Sequence, residues 1–370
     1  MGDTMTPRSA DAGGQRRPCR STRSRWARAM LVAAWLVSAW CMPSMAAEPT
    51  APATVDDALL KSKTLALVRA NAAVVGLRSL AVDDAVSIKS LGRKRQGSGV
   101  VIDDNDGLVL TIGYLILEAE QVELEIEGGR VFPARVVAYD QASGFGLVQS
   151  LAPLPVPAVP LGRSATLSGD DPLMIASGGS EGDLSLAKLL SKRAYSGYWE
   201  YHIDDALFTA PPRGDHSGAA LFNADGELLG IGSLVVNDAR GPGMPPTTGN
   251  MFVPIDLLKP ILREMREEGS SRRSHRAWMG VNCVERGGEV RVVRVTDDSP
   301  ADAAGLLPGD HITAVDGTAV QTLEGFYTVL WSGATPNREV RLDIRRAGTA
   351  RTVQVQATDR QNSLRRARGI

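Results

Sequence analysis

Cysteine is nearly absent: the 370 residues hold three, at Cys19, Cys41 and Cys283. The first two fall inside an N-terminal leader, so the mature chain keeps one thiol and cannot close an intramolecular disulfide. Folding therefore rests on core burial, and Cys283, in the apolar run MGVNCV, reads as a buried inert thiol. Histidine is equally sparse. The four residues, His202, His216, His275 and His311, lie far apart, and neither HExxH nor CxxC spacing occurs, so no metal site and no cofactor are expected. No GxxxxGK phosphate loop is present. The formal net charge of -1 argues against a nucleic-acid partner held by phosphate contacts, although arginines cluster locally.

What is present begins with a targeting pattern over residues 1–46. Arg16, Arg17, Arg20, Arg23, Arg25 and Arg28 form a basic leader, followed by the uncharged run AMLVAAWLVSAWCM and by Ser44 and Ala46 at the small-residue positions of a cleavage site. Cleavage is expected after Ala46. The apolar run is shorter than the roughly 20 residues a spanning helix needs, which disfavours the alternative of an uncleaved inner-membrane anchor. Trp40 before Cys41 disfavours a lipoprotein anchor.

Residues 47–73 read as a linker and a short helix, with Val55, Leu59, Leu60, Leu65, Leu67 and Val68 near helical spacing. From 74 to 265 the pattern changes to short β-type runs broken by glycine and aspartate turns, the signature of a sandwich or barrel. An amphipathic stretch, IDLLKPILREMREE, is expected to close this unit as a helix, and 266–276 to be an exposed linker. Residues 277–358 form a second, smaller α+β unit around one helical stretch at 323–331, and 359–370 read as a basic, disordered tail.

Three segments of the larger unit resemble, in order and spacing, the trypsin-like barrel of the HtrA/DegP family of serine proteases. They are Gly97, Ser98 and Gly99 followed by VVID and GLVLT; GGRVFPARVVAYD; and GDHSGAALFNADGELLGIGSL. In the smaller unit, DDSPADAAGLLPGDHITAVDG resembles the signature of PDZ domains. The resemblance implies a mainly β chain: a trypsin-like double six-stranded β-barrel followed by a small α+β PDZ domain.

Serine-protease chemistry needs a hydroxyl activated by an imidazole, a carboxylate that orients the imidazole, and amides that hold the oxyanion. By the resemblance, Tyr114 stands at the histidine position and Gly144 at the aspartate position, while Ser217 keeps the nucleophile position. The missing base does not depend on one alignment, because no histidine precedes residue 202. By the resemblance, either Asp215 stands where the family has a glycine whose amide, with that of Ser217, forms the oxyanion hole, or His216 is a single insertion into a GDSG sequence; both readings disturb the oxyanion hole. The expectation is a pseudoprotease. The alternative is an active serine endopeptidase with an unconventional base, for which His202 is the candidate, since His216 adjoins Ser217 on extended chain and points to the opposite face.

In the smaller unit, the resemblance implies that the backbone amides of Met279, Gly280 and Val281 face the terminal carboxylate of a peptide that adds as a strand. Leu323, Phe326, Tyr327 and Leu330 either line its side-chain pocket or fill the core. The partners expected are a polypeptide or C-terminal peptide and, beyond that, an active protease paralogue, in periplasmic protein quality control or protease regulation. The family trimerises through aromatic residues near the barrel's N-terminus, and no Phe, Trp or Tyr lies between Glu48 and Gly113, so a homotrimer is not supported.

Overall fold

The computed structural model describes residues 55–365, Ala334 excepted. The leader, its expected cleavage site after Ala46 and the last residues of the basic tail lie outside the described residues.

The N-terminal helix, Val55–Ala72, is longer than the short helix expected and is built from alanine, leucine and lysine, all strong helix formers. It docks by its C-terminal end, where Leu67 and Ala70 are buried, while Leu59 and Leu65 face solvent. Strand β1 (Val74–Ala81) follows and joins β2 (Lys94–Asp103), β3 (Leu108–Ile112), β4 (Ala119–Glu125), β5 (Val131–Tyr139) and β6 (Phe145–Ser150) in a closed barrel, with order β1-β2-β3-β6-β5-β4. Alternation sets the faces: in β4, Val122 and Leu124 point inward while Gln121 and Glu123 are exposed. All five residues of β3 are buried, because its outer face is also covered.

A second closed barrel contains β7 (Leu173–Ala176), β8 (Leu184–Gly197), β9 (Tyr201–Ala210), β10 (Ala220–Phe222), β11 (Leu228–Val236) and β12 (Gly249–Pro254), in the order β10-β11-β12-β9-β8-β7. Closure removes exposed strand edges from both. One apolar cluster, including Leu110 and Phe145 from the first barrel and Phe208 and Phe222 from the second, runs through both and fixes the cleft between them.

Two expectations fail at the junction. The closing helix is interrupted: a 3-10 turn covers Ile255–Leu257 and the α-helix is confined to Leu262–Glu268. Pro260 accounts for this, having no N–H to donate and restricting the residue before it. The segment expected to be an exposed linker is instead held against the first barrel, with Ser271 1% and Ser274 0% exposed. Its anchor is Asp140, itself buried. One carboxylate oxygen accepts from the Ser271 N–H (3.0 Å) and the Ser274 hydroxyl (2.5 Å), the other from the Ser143 N–H (2.9 Å) and hydroxyl (2.6 Å). Burial pushes this carboxyl up, but the donors from Ser143, Ser271 and Ser274 outweigh it and hold Asp140 below its ordinary value.

The smaller unit is a sheet of order β13-β19-β18-β16-β15-β14, with the short β17 (Thr318–Ala319) paired to β16. Its strands are β13 (Ala277–Trp278), β14 (Val281–Arg286), β15 (Glu289–Val295), β16 (His311–Val315), β18 (Arg338–Arg346) and β19 (Thr349–Asp359). Two helices cover it. Pro300–Ala303 starts from Ser299, whose side chain accepts from the Asp302 N–H, and Leu323–Trp331 starts from Thr322, which caps the Gly325 N–H. The tail expected to be disordered from 359 is described through Arg365: Arg360–Ser363 form a 3-10 turn, and the Arg365 N–H donates to Glu118 Oε1 at 2.8 Å.

Candidate functional site

The cleft between the barrels is lined by Gly97, Ser98, Ser177, Gly178, Asp215 and Ser217, among others. Tyr114 reaches it from a 3-10 turn, Gly113–Leu115, directly after β3. That turn is fixed from below by the buried Arg95, whose guanidinium donates to the carbonyls of Tyr114 (2.9 Å) and Leu117 (2.6 Å). Ser217 lies on the tight connection into β10. Its carbonyl accepts from the Ser98 N–H (2.9 Å), and the next residue, Gly218, has φ +74°, where a Cβ would stand 2.0 Å from the Ser98 carbonyl oxygen. Only glycine lets this turn approach β2 so closely.

Tyr114 and Ser217 meet directly, their oxygens 2.9 Å apart, and the Tyr114 hydroxyl is 2.8 Å from the Ser233 carbonyl. A carbonyl can only accept, so the single phenolic proton goes to Ser233, and toward Ser217 the phenol oxygen is the acceptor. Burial pushes Tyr114 up to about 12, with the Ser217 hydrogen bond pulling weakly the other way. At neutral pH it is an uncharged phenol, with no capacity to take a proton from Ser217 as an imidazole does.

Gly144 adjoins the same turn. Its carbonyl accepts from the Gly113 N–H at 2.7 Å, and it sits in the left-handed region at φ +85°. A Cβ at this position would lie 3.0 Å from the Tyr201 hydroxyl oxygen, and that hydroxyl donates to the Ser143 carbonyl at 2.7 Å. Tyr201 thus fills the space beside Gly144 into which a longer side chain would extend. Tyr114 and Ser217 are therefore in direct contact, and Gly144 is joined through its carbonyl to Gly113, the residue before Tyr114.

The Asp215 carboxylate also faces the cleft. Arg213 clamps it, with Nε 2.8 Å from Oδ1 and a second contact from Nη2 to Oδ2, and the Ser177 hydroxyl donates to Oδ2. Burial raises this carboxyl, but Arg213 and Ser177 prevail and hold it below its ordinary value. The carboxylate is thus engaged by Arg213 and Ser177 at the cleft. Neither candidate base is bonded to Ser217: His216 Nδ1 contacts the Arg213 carbonyl (3.0 Å), while His202 contacts Ser196 (2.8 Å) and Asp204 (3.5 Å).

In the smaller unit, Met279 and Gly280 form the loop from β13 into β14, which begins at Val281. Gly280 needs its freedom: φ is +86°, and a Cβ would meet that of Ser299 at 2.3 Å. The amides of Met279 and Gly280 already have an acceptor, the side chain of Glu200 from the barrel. Leu323, Phe326 and Leu330, expected at a peptide pocket, are 8%, 0% and 0% exposed and belong to the domain core, so they offer a ligand almost no surface. Sequence reasoning missed Glu200, Arg213, Tyr201 and the Ser233 carbonyl as members of these sites. The only hint was the aromatic density of YWEYHIDD, which carries no positional information.

Residues 97–231 match the trypsin-like peptidase domain family, and residues 277–357 match the PDZ domain family. The periplasmic serine endoprotease DegP of Salmonella typhimurium is 28% identical over 279 residues, covering 70% of this chain and 56% of DegP. The putative serine protease HhoA of Synechocystis is 27% identical over 292 residues, covering 72% of this chain and 71% of HhoA. The chain spans about half the length of the DegP relatives it matches. A solved structure of the HtrA-type protease AlgW with a decapeptide shares the fold, at TM-score 0.50 and 20% identity over 80% of this chain and 98% of that one. The chain is thus a trypsin-like peptidase domain joined to a PDZ domain. Its homologues are the HtrA/DegP serine proteases.

Proposed function

We propose that this chain is an HtrA-like pseudoprotease, exported to the periplasm, whose PDZ domain captures extended or C-terminal peptide segments in envelope quality control or protease regulation. Tyr114 and Gly144 are the degenerate histidine and aspartate positions around a retained Ser217. The observation that carries this reading is the partner of Ser217: a neutral, half-buried phenol already committed to the Ser233 carbonyl. In subtilisin, removing the triad serine or histidine alone costs on the order of a millionfold in kcat, so loss of the base suffices to silence the site. Asp215 at the position where the family carries an oxyanion glycine adds a second obstacle. An active protease paralogue is the regulatory partner this reading favours.

The test is incubation of the purified protein with unfolded casein. No cleavage above background is expected, and Ser217→Ala should be indistinguishable from the parent. Cleavage that disappears in Ser217→Ala would overturn the reading in favour of an active endopeptidase. In that event, His202→Ala decides whether His202 supplies the base.

A further inference from the structure

We infer that the PDZ groove is filled in cis: the tip of the β8–β9 hairpin is its internal ligand, and the Glu200 side-chain carboxylate occupies the seat of a peptide's terminal carboxylate. The inference rests on the peptide-binding reading of the PDZ loop and goes beyond it by naming what competes for that loop.

Three backbone contacts, from Met279, Gly280 and Cys283, reproduce those of a bound peptide, and the covering helix adds more. The Met279 N–H donates to Glu200 Oε1 and the Gly280 N–H to Oε2, each at 2.9 Å. The amide of Val281 exerts a further, weaker pull on the same carboxyl. The Cys283 N–H donates to the Tyr198 carbonyl at 2.9 Å, a rung on the side of β14 opposite β15, where an added strand would pair. From the covering helix, the Tyr327 hydroxyl donates to the Gly197 carbonyl at 2.7 Å and lies 3.2 Å from the Glu200 N–H.

The hairpin tip is built for this position. Glu200 is 2% exposed and has φ +57°, a conformation that disfavours residues with a Cβ. Its ring neighbours, Trp199 and Tyr201, stack at 5.6 Å with an interplanar angle of 11°. A buried carboxylate normally has a cation beside it. Among the described residues none lies within salt-bridge distance of Glu200; amides hold the charge, as they hold a ligand's terminus.

A peptide with a free carboxyl terminus and the hairpin need the same N–H groups, so they exclude one another. Apparent peptide affinity is then lowered by the fraction of molecules whose hairpin is released. The partner implied is an extended peptide with a free terminal carboxylate, admitted only when the hairpin leaves.

The experiment uses the full chain, its Glu200→Ala variant and the isosteric Glu200→Gln variant. Amide hydrogen exchange is read at Met279, Gly280 and Cys283, with β18 and β19 as folding controls. Retention is read with a decapeptide library randomised at its last four positions, once with free carboxyl termini and once amidated. Glu200→Ala should exchange at least tenfold faster at the three amides with β18 and β19 unchanged, and should retain the free-carboxylate library at least tenfold better than the parent. Glu200→Gln, which keeps one carbonyl acceptor, should fall between them. Unchanged exchange in both variants, or measurable peptide retention that is equal in all three proteins, would overturn the inference. Faster exchange without retention of any peptide would leave self-occupation standing and remove the peptide-binding reading of the PDZ domain.

Discussion

The barrel cleft and the PDZ loop meet an oxygen ligand in different ways, and they tolerate sequence change differently for that reason. The cleft's chemistry depends on side chains. Its backbone is intact, with Ser217 on a tight turn against Ser98 and Gly218 at φ +74°, yet the partner of the serine is a phenol. The PDZ loop presents amides that every residue but proline supplies, so its geometry needs little more than Gly280 at φ +86°. An arrangement of side chains can change while the fold remains; an arrangement of amides persists while the turn does.

The joint between the two regions supports the largest expected effect. Asp140→Ala removes the acceptor for two hydroxyls and two N–H groups, all buried, at the point where the connecting segment docks. With about 1–3 kcal/mol for each buried polar group left unsatisfied, and partial relaxation, we expect a loss of roughly 4 kcal/mol by urea denaturation. A loss below about 1 kcal/mol would mean that the segment is not anchored through Asp140 and that the two regions are joined by some other contact.

Asp140 and Glu200 are both buried carboxylates, and they titrate in opposite senses. Asp140 lies below its ordinary value, so its stabilisation is present above the ordinary aspartate range and is lost as pH falls through the folded value. Glu200 is pushed up to about 7 from 4.5, first by burial, against the pull of Met279, Gly280 and Arg360; Arg276, Cys283 and Tyr327 also face it. A raised carboxyl contributes fully below the undocked value and loses its contribution as pH rises through about 7. Protection of the Met279 and Gly280 amides, corrected for intrinsic exchange, should therefore fall between pH 5 and pH 8 in the parent and stay level in Glu200→Gln. A rise with pH in the parent would contradict the sign of the coupling.

How much of this was legible follows the same division. The barrel segments and the PDZ signature were readable because they are local patterns of strand, turn and glycine. The meeting of Tyr114 and Ser217 was foreseeable only through resemblance, since 103 residues separate the tyrosine from the serine it touches. The docked connector was not legible: GSSRRSHRA looks solvated because serines and arginines usually are, and its burial depends on Asp140, far away in sequence. Glu200 was invisible for a related reason. A glutamate at a hairpin tip reads as exposed until a second domain is known to lie over it. Likewise, Phe326 and Leu330 could not be divided between pocket and core, because both roles ask for apolar residues on one helix face.

The smallest expected effect bears directly on the cleft. Tyr114→Phe deletes one hydroxyl that bridges the Ser217 side chain and the Ser233 carbonyl. Ser217 is only half-buried and regains a partner from water, whereas Ser233 is buried and loses its contact. One buried carbonyl left unpaired costs about 1 kcal/mol, so the urea midpoint should shift slightly while the slope stays unchanged. If the tyrosine had instead taken over proton transfer, Tyr114→Phe would abolish casein cleavage at little cost in stability. If it serves only as a neutral strut under Ser217, there is no cleavage to lose and the variant differs from the parent in stability alone. Measuring both quantities on one preparation separates a rebuilt catalytic site from a silent one.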